Sequence, residues 1–539
     1  MKGLAKTCCV ALSGVQGHVV EIEVDIGCGL PRTTLVGLPD ASLVEARDRC
    51  RAAVVNSELS WPNRQLTIAL SPASLPKSGA YYDLAIALAV LGAAEQIPTT
   101  HLDTTIALGE LALDGRLRAV PGVLPATLAA ARAGIDRVIV PEANAAEAGL
   151  VTGVRVLSVR SLAQVVALLR GEDLPDAPPV PPLVSDARLA WRGEARGETL
   201  DMADVVGQIE ARRTMEVAAA GGHHVFLDGP PGAGKTMLAE RLPGLLPGLE
   251  EDEALEVTAV HSVAGVLPPE VPLVTRPPYV DPHHTASAVS VIGGGSRLIR
   301  PGSISLAHRG VLFLDEAPEF RSDVLEALRQ PLEGGDIVIG RAERGSRFPA
   351  RFILVMAANP CPCGRSYGKG ASCECPPAAR RRYRDRISGP IRDRIDLHRT
   401  VLPVTPAQMR DDLVHVESTR SIADRVLEAR HRQRRRLADT PWRRNSEVPG
   451  PVLRREYAPA DNSMASVDVL LRQGRLTARG ADRVLRVTWT LADLAGLDTP
   501  GPLQVAEAVM LRTSGVLPRV RSVRGTDERV PPDPMERAS

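Results

Sequence analysis

The segment from Gly229 to Thr236 constrains this chain more than any other stretch. It follows the pattern G-x-x-x-x-G-K-T and comes directly after the short run 224–227, which predicts a buried strand. Small residues let backbone N–H groups close around a triphosphate, while Lys235 reaches the β- and γ-phosphates and the Thr236 hydroxyl ligates Mg²⁺. The helix expected next directs its N-terminus at the same anion. The predicted ATP contacts are therefore Gly229, Pro230, Pro231, Gly232, Ala233, Gly234, Lys235 and Thr236.

Two later strand-like runs end in polar side chains that suit the same site. Residues 310–314 lead into Asp315 and Glu316, where Asp315 would hold Mg²⁺ through water and Glu316 would polarise the attacking water. Residues 351–358 lead into Asn359, which resembles the sensor-1 position of AAA+ ATPases. Ahead of the loop, Asp204–Gln208 resembles their adenine-contacting segment. The order of these motifs predicts an α/β P-loop NTPase core that hydrolyses ATP.

Arginines later in the chain resemble two further AAA+ elements. In the segment 388–396, Arg394 matches the arginine finger that one subunit contributes to its neighbour, which implies a ring, most simply a hexamer. Arg479 matches sensor 2, with Arg483 as the competing candidate. For each arginine alone, a surface salt bridge is the alternative. The basic run 430–436 is most simply a solvated helix face.

The chain divides into five predicted parts. Residues 1–172 mix strand and helix patterns, which predicts an α+β domain, and the proline-rich residues 173–198 predict an extended linker. Residues 199–404 hold the nucleotide motifs, and residues 405–516 predict a helical lid. Residues 517–539 are rich in proline, arginine and aspartate, which predicts a disordered tail.

The first part resembles the proteolytic domain of Lon-type proteases, which has the ribosomal S5 domain 2-like fold. The resemblance rests on Pro76–Gly79, Leu108–Glu110 and Asp114–Leu117. Lon uses a serine activated by a lysine, and the matching positions here are Tyr81 and Leu124, neither of which supports that chemistry. The resemblance therefore predicts the protease fold without peptidase activity.

Half of the eight cysteines form a C-x-C…C-x-C cluster directly after Asn359: Cys361, Cys363, Cys373 and Cys375. Four thiolates can close a tetrahedral Zn²⁺ site, which would be structural rather than catalytic. Redox-active or merely packed thiols are the alternatives. So few cysteines do not suggest a disulfide framework, which favours a reducing cytoplasm. His283 and His284 lack a third ligand at a suggestive spacing, so hydrogen bonding within their loop is the favoured role.

Two arginine-bearing inserts are candidates for DNA contact. The formal net charge of +1 gives no global case for nucleic acid, so any such contact depends on local patches. One insert is 291–296 with Arg297 and Arg300, and the other is a hairpin predicted between Asp336 and Phe352. Arginines there would contact phosphates without reading bases, although solvated arginines are the alternative. The hairpin candidates are Arg341, Arg344, Arg347 and Arg351, with Phe348 and Phe352 as the nearby aromatic side chains.

Several more stretches resemble one family, the YifB/ComM family of magnesium-chelatase-like AAA+ ATPases. They are 282–287, 293–296, 304–308 and 358–364, and the resemblance extends from about residue 1 to 516. It implies a cytoplasmic homo-hexamer that uses ATP and Mg²⁺, and helicase or branch-migration activity on single-stranded or branched DNA in natural transformation or recombination. The alternatives are a magnesium-chelatase-like protein-remodelling ATPase, an ATP-dependent Lon-like protease and a binding-only protein. Since no run approaches the length of a membrane span, no membrane association is expected.

Overall fold

The computed structural model describes most of the chain. Only the backbone is described at positions 41, 42, 341, 344 and 411. Residues 184–198 of the predicted linker, residue 199 and the whole predicted tail lie outside the described residues. None of the described helices is both long and apolar enough to cross a membrane. The described ranges are 3–37, 41–75, 77, 79–183, 200–268, 271–295, 299–341, 344–367, 372–412, 416–460 and 463–513.

A seven-stranded mixed sheet organises the residues before 183. Its order is β3-β4-β2-β1-β5-β8-β9, and β6 pairs with β7 in a separate small hairpin. The strands are β1 (Gly3–Ser13), β2 (Gln16–Gly27), β3 (Arg32–Val36), β4 (Gln65–Ser71), β5 (Thr105–Ala107), β6 (Glu110–Leu111), β7 (Leu117–Arg118), β8 (Arg137–Pro141) and β9 (Arg155–Val159). The helices are α1 (Ala41–Asn56), α2 (Asp83–Ala93), α3 (Val123–Arg132), α4 (Ala145–Ala148) and α5 (Leu162–Arg170). This mixture of strands and helices is the α+β arrangement that the sequence predicted.

Helix α2 forms the centre of this unit because every one of its residues is buried. It packs on β1 and β2, whose inward side chains, such as Val20, Ile22 and Val24, alternate with exposed ones. Its single charged residue, Asp83, is paired with Arg49 through two hydrogen bonds of 2.8 and 3.0 Å. Burial raises the pKa of Asp83 to about 6, although Arg49 opposes that shift.

The positions that match the Lon dyad are both buried. Tyr81 is buried and stacks on Tyr82 with ring centroids 4.5 Å apart, and Leu124 packs with Val151 and Ala259. Lys77 is also buried, and its Nζ donates to the Leu70 carbonyl at 3.1 Å. The loss of peptidase activity stays a prediction, which the side chains at Tyr81 and Leu124 support.

A five-stranded parallel sheet organises the nucleotide-motif part, in the order β11-β14-β17-β10-β18. Both of its faces are covered, which explains why β14 and β17 are apolar and buried throughout. The strands here are β10 (Val225–Asp228), β11 (Tyr279–Val280), β12 (Gly293–Gly294), β13 (Arg300–Pro301), β14 (Val311–Leu314), β15 (Asp336–Arg341), β16 (Arg344–Pro349), β17 (Ile353–Ala358) and β18 (Leu397–Thr400). The helices are α6 (Ile209–Gly221), α7 (Lys235–Leu245), α8 (Glu251–Ala264), α9 (Ala288–Ile292), α10 (Ser303–Leu306), α11 (Ser322–Ala327), α12 (Arg329–Gly334), α13 (Pro377–Asp385) and α14 (Gly389–Arg394).

The described residues after 405 are helical, as the sequence predicted for the lid. The helices are α15 (Pro406–Asp412), α16 (Thr419–Arg436), α17 (Gly450–Glu456), α18 (Ala465–Arg472), α19 (Ala478–Ala495) and α20 (Pro502–Arg512). The prediction that residues 430–436 form a solvated helix face is wrong for three of their arginines. Arg430 donates to the Ala219 carbonyl at 3.0 Å, Arg432 donates to the Asp493 carbonyl at 2.7 Å, and Arg436 pairs with the Asp493 carboxylate. Burial lowers the pKa of Arg430 to about 9.

The N-terminal unit contacts the nucleotide-motif unit through α3 and α4. The Gly122 N–H donates to the Ser262 carbonyl at 3.1 Å, and α3 packs against α8. Buried Glu147 accepts hydrogen bonds from the Leu124 N–H at 2.7 Å and from the Ser262 hydroxyl. A buried carboxylate with three donors, counting Asn144, fixes how the two units meet.

Candidate nucleotide-binding site

The loop from Gly229 to Gly234 connects β10 to α7 at the carboxyl edge of the parallel sheet. Gly232 and Gly234 adopt left-handed φ angles of 76° and 94°, which other residues reach only with strain. A Cβ on Gly229 would lie 2.0 Å from the Val401 carbonyl oxygen, so the backbone passes too closely for any side chain. Lys235 begins α7, so the helix N-terminus faces the loop.

Lys235 is buried, and its ammonium group is held by oxygen acceptors. Nζ donates to the carbonyls of Gly229 and Pro230 at 2.7 and 3.0 Å and to Oδ1 of Asn359 at 3.2 Å. Burial lowers the pKa of Lys235, while Asp315 and other nearby carboxylates oppose that shift. The cation therefore lies between the loop and the end of β17, where an anionic ligand would meet it.

Thr236 and Asp315 meet directly after the loop. The Thr236 hydroxyl donates to Oδ2 of Asp315 at 2.9 Å, which brings together the two oxygen ligands that a P-loop enzyme uses for Mg²⁺. Because β10, β17 and β14 are neighbours, their carboxyl ends deliver Lys235, Asn359 and Asp315 to one place. The structure thus brings together the side chains that the sequence predicted for the phosphate and metal side.

Glu316 lies beside this group in a left-handed conformation, with φ at 50° and ψ at 43°. Such a backbone is uncommon for a residue other than glycine and occurs often at functional sites. Oε2 of Glu316 lies 3.4 Å from Nδ1 of His284, a neighbour that the sequence analysis missed. His283 instead hydrogen-bonds Thr285 at 2.8 Å, as the loop interpretation expected. The tandem histidines were visible in the sequence, but nothing there placed them near Glu316.

Arg394 ends α14 and is engaged within its own chain. It donates to the Pro390 carbonyl at 2.6 Å and pairs with Glu333. Burial lowers the pKa of Arg394, and the nearby charges of Arg479 and Arg483 lower it further. Among the described residues, no hydrogen bond or ion pair joins Arg394 to Lys235, Thr236 or the two carboxylates.

The two candidates for sensor 2 differ in their surroundings. Arg479 lies exposed in the first turn of α19, with no side-chain hydrogen bond in the described part of the chain. Arg483 is mostly buried, and its Nη1 donates to Oδ1 of Asp396 at 2.6 Å. Asp396 is also an acceptor for the His224 N–H at 3.1 Å. This geometry favours Arg479 as the residue that is free to reach a nucleotide.

A cleft of about 380 Å³ lies beside the loop, where the sequence placed the adenine-contacting segment. Gln208 crosses its base, with Nε2 donating to the Ala233 carbonyl at 3.2 Å and to the Leu402 carbonyl at 2.7 Å. Its other walls come from Gly207, Ile209, Glu210, Arg399, Thr400, Pro403 and Gln408. The amide of Gln208 therefore ties the cleft to both the phosphate loop and β18.

Known proteins match nearly the whole chain. Residues 201–409 match the family described as magnesium chelatase, subunit ChlI, residues 22–144 match subunit ChlI of Mg-chelatase, and residues 416–512 match its C-terminal part. The chain is 40% identical over 505 residues to the uncharacterized protein YifB of Escherichia coli, covering 93% of this chain and 96% of that protein. It is 38% identical over 504 residues to the competence protein ComM of Haemophilus influenzae, with the same coverage. The chain belongs to the YifB/ComM family of magnesium-chelatase-like AAA+ ATPases.

Membership of the YifB/ComM family confirms the predicted AAA+ P-loop core, and it implies that nucleotide and Mg²⁺ are used. The donor set fits both ligands, since the Thr236 hydroxyl and Asp315 carboxylate already meet and the Lys235 ammonium faces the loop. The chain also resembles the magnesium-chelatase 38 kDa subunit of Rhodobacter capsulatus, at 30% identity over 173 residues. That match covers 29% of this chain and 49% of that protein.

The predicted hairpin of this YifB/ComM family member is present as β15 and β16, which pair from Asp336 and Pro349 to Arg341 and Arg344. Arg347 is exposed and lies 2.7 Å from Asp336 in an ion pair. Phe348 and Phe352 are buried in the core, so neither is available to stack on a base. In the other predicted DNA-contacting insert, which begins at residue 291, Arg300 is exposed on β13 and Arg297 lies outside the described residues.

The cysteine cluster lies next to the phosphate loop. Cys361, two residues after Asn359, is buried and the other three cysteines are partly or fully exposed. A backbone N–H at Arg365 lowers the pKa of Cys363 to about 6. Residues 368–371 between the two pairs lie outside the described residues. All four ligand atoms lie within 4.8 Å of one another, a spacing that fits a single bound ion.

Proposed function

We propose that this protein is a cytoplasmic, hexameric AAA+ ATPase that couples ATP hydrolysis to remodelling of single-stranded or branched DNA, as a helicase or branch-migration motor. The observation that supports it most is the position of the β15–β16 hairpin. It is inserted in the chain between β14, which leads into Asp315, and β17, which leads into Asn359. A basic element thus lies in the chain between two strands that each lead into a residue of the nucleotide site.

The residues of the site have distinct proposed roles. Lys235 and the N-terminus of α7 bind and orient the phosphates, and Asn359, which already accepts from Lys235, reports on the γ-phosphate. Thr236 and Asp315 would hold Mg²⁺, which neutralises charge on the transferred phosphoryl group. Glu316 would accept a proton from the attacking water, with His284 beside it as an orienting partner.

Completion of the site by a neighbouring subunit is the basis for the proposed ring. Within the described residues Arg394 makes no hydrogen bond or ion pair with its own phosphate loop, whereas it lies near the lid arginines. A finger in trans would stabilise charge on the transferred group and make hydrolysis depend on assembly. Arg479 would act from the lid of the same chain.

DNA contact is proposed for the exposed arginines of the hairpin. An arginine that tracks phosphates gives sequence-independent affinity that falls steeply with salt. Arg347 is 70% exposed, so its guanidinium can exchange Asp336 for a phosphate at little cost. The name of the relative ComM, a competence protein, is consistent with a DNA substrate.

The test is ATP turnover with single-stranded, duplex and four-way-junction DNA. We expect at least one DNA to stimulate turnover several-fold, and Arg347→Ala to weaken that stimulation while leaving basal turnover intact. The matched control is Arg321→Ala, which removes an arginine with 66% exposure that pairs with Asp323 at 2.8 Å. No stimulation by any DNA would favour the alternative, a protein-remodelling ATPase like magnesium chelatase.

A further inference from the structure

The four-cysteine cluster has the dimensions of a mononuclear metal site. The Cys361 sulfur lies 3.4 Å from that of Cys363 and 3.7 Å from that of Cys373, and Cys363 lies 3.8 Å from Cys373. A tetrahedral zinc ion with Zn–S bonds of about 2.3 Å separates its sulfurs by about 3.8 Å. All four cysteines are free thiols, so no disulfide accounts for their approach. An iron–sulfur cluster carries its cysteines outside several iron atoms and would need wider spacing.

The same loop packs against the phosphate loop. Gly364 closes the first cysteine turn by donating its N–H to the Cys361 carbonyl at 2.9 Å. Its φ is 73°, and a Cβ there would lie 2.6 Å from Cδ of Pro231. Asn359 begins this segment two residues before Cys361, so a short stretch joins the sensor side chain, the first cysteine and the contact with Pro231.

We propose that the four cysteines bind one zinc ion, and that this ion fixes the segment 359–364 against Pro231 so that the phosphate loop keeps its binding geometry. Zinc displaces the thiol protons and ties the second cysteine pair to the first, which removes freedom from the segment after Asn359. The second half of this inference rests on the proposed nucleotide site, whereas zinc binding itself does not.

Metal analysis of the tag-free, full-length protein tests the zinc site. We expect about one zinc per chain. The double variant Cys373→Ser/Cys375→Ser should lose this zinc, and the control Cys28→Ser, which removes an exposed cysteine outside the cluster, should keep it. Iron in place of zinc, a metal-free wild-type protein, or a double variant that retains its zinc would each overturn the proposal.

The Gly364→Ala variant tests the coupling. The new methyl group would press on Pro231, and none of Cys361, Cys373 and Cys375 lies within 4 Å of it. We therefore expect zinc content to be unchanged and affinity for a fluorescent ATP analogue to fall about tenfold, comparable to losing one net hydrogen bond. Gly134→Ala is the matched control, because Gly134 has a φ of 77° and no atom within 4 Å of its added Cβ. Equal nucleotide affinity in Gly364→Ala and Gly134→Ala would refute the coupling while leaving the zinc result standing.

A different contact carries a second inference, about the N-terminal unit. Gly14, in the turn between β1 and β2, has a φ of 65°, and a Cβ there would lie 2.2 Å from the Arg347 carbonyl oxygen. Val15 packs against the core cluster that contains Ile337 and Phe348 of the hairpin. We infer that the β1–β2 turn holds the hairpin, so that the N-terminal unit restrains its motion.

Hydrogen exchange of the intact protein tests this inference without DNA or ATP. Both Gly14→Ala and Val15→Ala should make exchange of residues 344–349 several-fold faster. Gly153→Ala, at a glycine of the same unit with a φ of 81° and no atom near its added Cβ, should not. Unchanged exchange in both turn variants, with the N-terminal unit still folded by its melting transition, would overturn the inference.

Discussion

The two lid arginines should respond to substitution in opposite ways. The Asp396 side chain is 1% exposed and accepts from Arg483 at 2.6 Å, so Arg483→Ala leaves a carboxylate buried without its counter-charge. Breaking a buried pair from one side costs about 3–5 kcal/mol. The His224 N–H remains as a donor, which places the expected loss near the lower end, at about 3 kcal/mol. Arg479→Ala removes an exposed side chain and should change stability by about 0.5 kcal/mol or less.

Calorimetry and ATP turnover together separate the two roles. For a unit of roughly 200 residues, 1 kcal/mol corresponds to about 2–4 °C, so Arg483→Ala should lower the melting temperature of the motor transition by about 6–12 °C. Arg479→Ala should melt within about 2 °C of the wild type while ATP turnover falls at least about tenfold. Loss of turnover in a folded Arg483→Ala variant, with full activity in Arg479→Ala, would refute this assignment.

The pH dependence of the Arg483→Ala deficit provides an independent check. In the wild type, burial alone would raise the pKa of Asp396, but Arg483 and the neighbouring histidines hold it well below its ordinary value. The pair therefore stabilises the fold above the unfolded pKa of about 3.9. In Arg483→Ala, burial dominates and raises the pKa of Asp396, so protonation of this carboxylate removes the buried charge. The melting deficit should shrink as the pH falls from about 8 to about 5.

The remaining predictions concern the nucleotide site and His224. Lys235→Ala should abolish binding of a fluorescent ATP analogue, and Glu316→Gln should bind it normally while turnover falls about 10²–10⁴-fold. Unchanged turnover in either variant contradicts the assigned roles. Mixing Arg394→Ala with Lys235→Ala subunits should restore part of the ATP turnover that each variant lacks alone. A mixture that is as inactive as the two separate variants would count against a finger in trans. Burial lowers the pKa of His224 to about 4, so as the pH falls the unfolded chain takes up this proton before the folded chain does. The free energy of unfolding should therefore fall between about pH 6.5 and 4, by roughly 3 kcal/mol for this group. In urea unfolding, the free energy of unfolding of His224→Asn should fall less than that of the wild type over the same pH range.

The sequence revealed the parts of the site whose determinants are local. The phosphate loop and the strands before Asp315 and Asn359 were predictable, because apolar runs and fixed motif spacing mark buried parallel strands. The contact between Glu316 and His284 joins residues far apart in the chain, so no periodicity signals it. Arg430 was misread because a charge pattern on one helix does not reveal which carbonyls of α6 will face it.

The topology also limits how hydrolysis could move the hairpin. The hairpin joins β17 at its amino end, while Asn359 follows its carboxyl end, and six residues of strand span about 20 Å between them. β17 is buried throughout and paired with β10 on one side and β14 on the other, so a slip of one residue would reverse every side chain. Sliding of β17 relative to its neighbours is therefore excluded as the way hydrolysis moves the hairpin. The chain after β18 passes close to the nucleotide site, with the Val401 carbonyl against Gly229 and the Val404 side chain against Gly207. A nucleotide bound at either glycine would therefore act directly on the chain that leads into the lid.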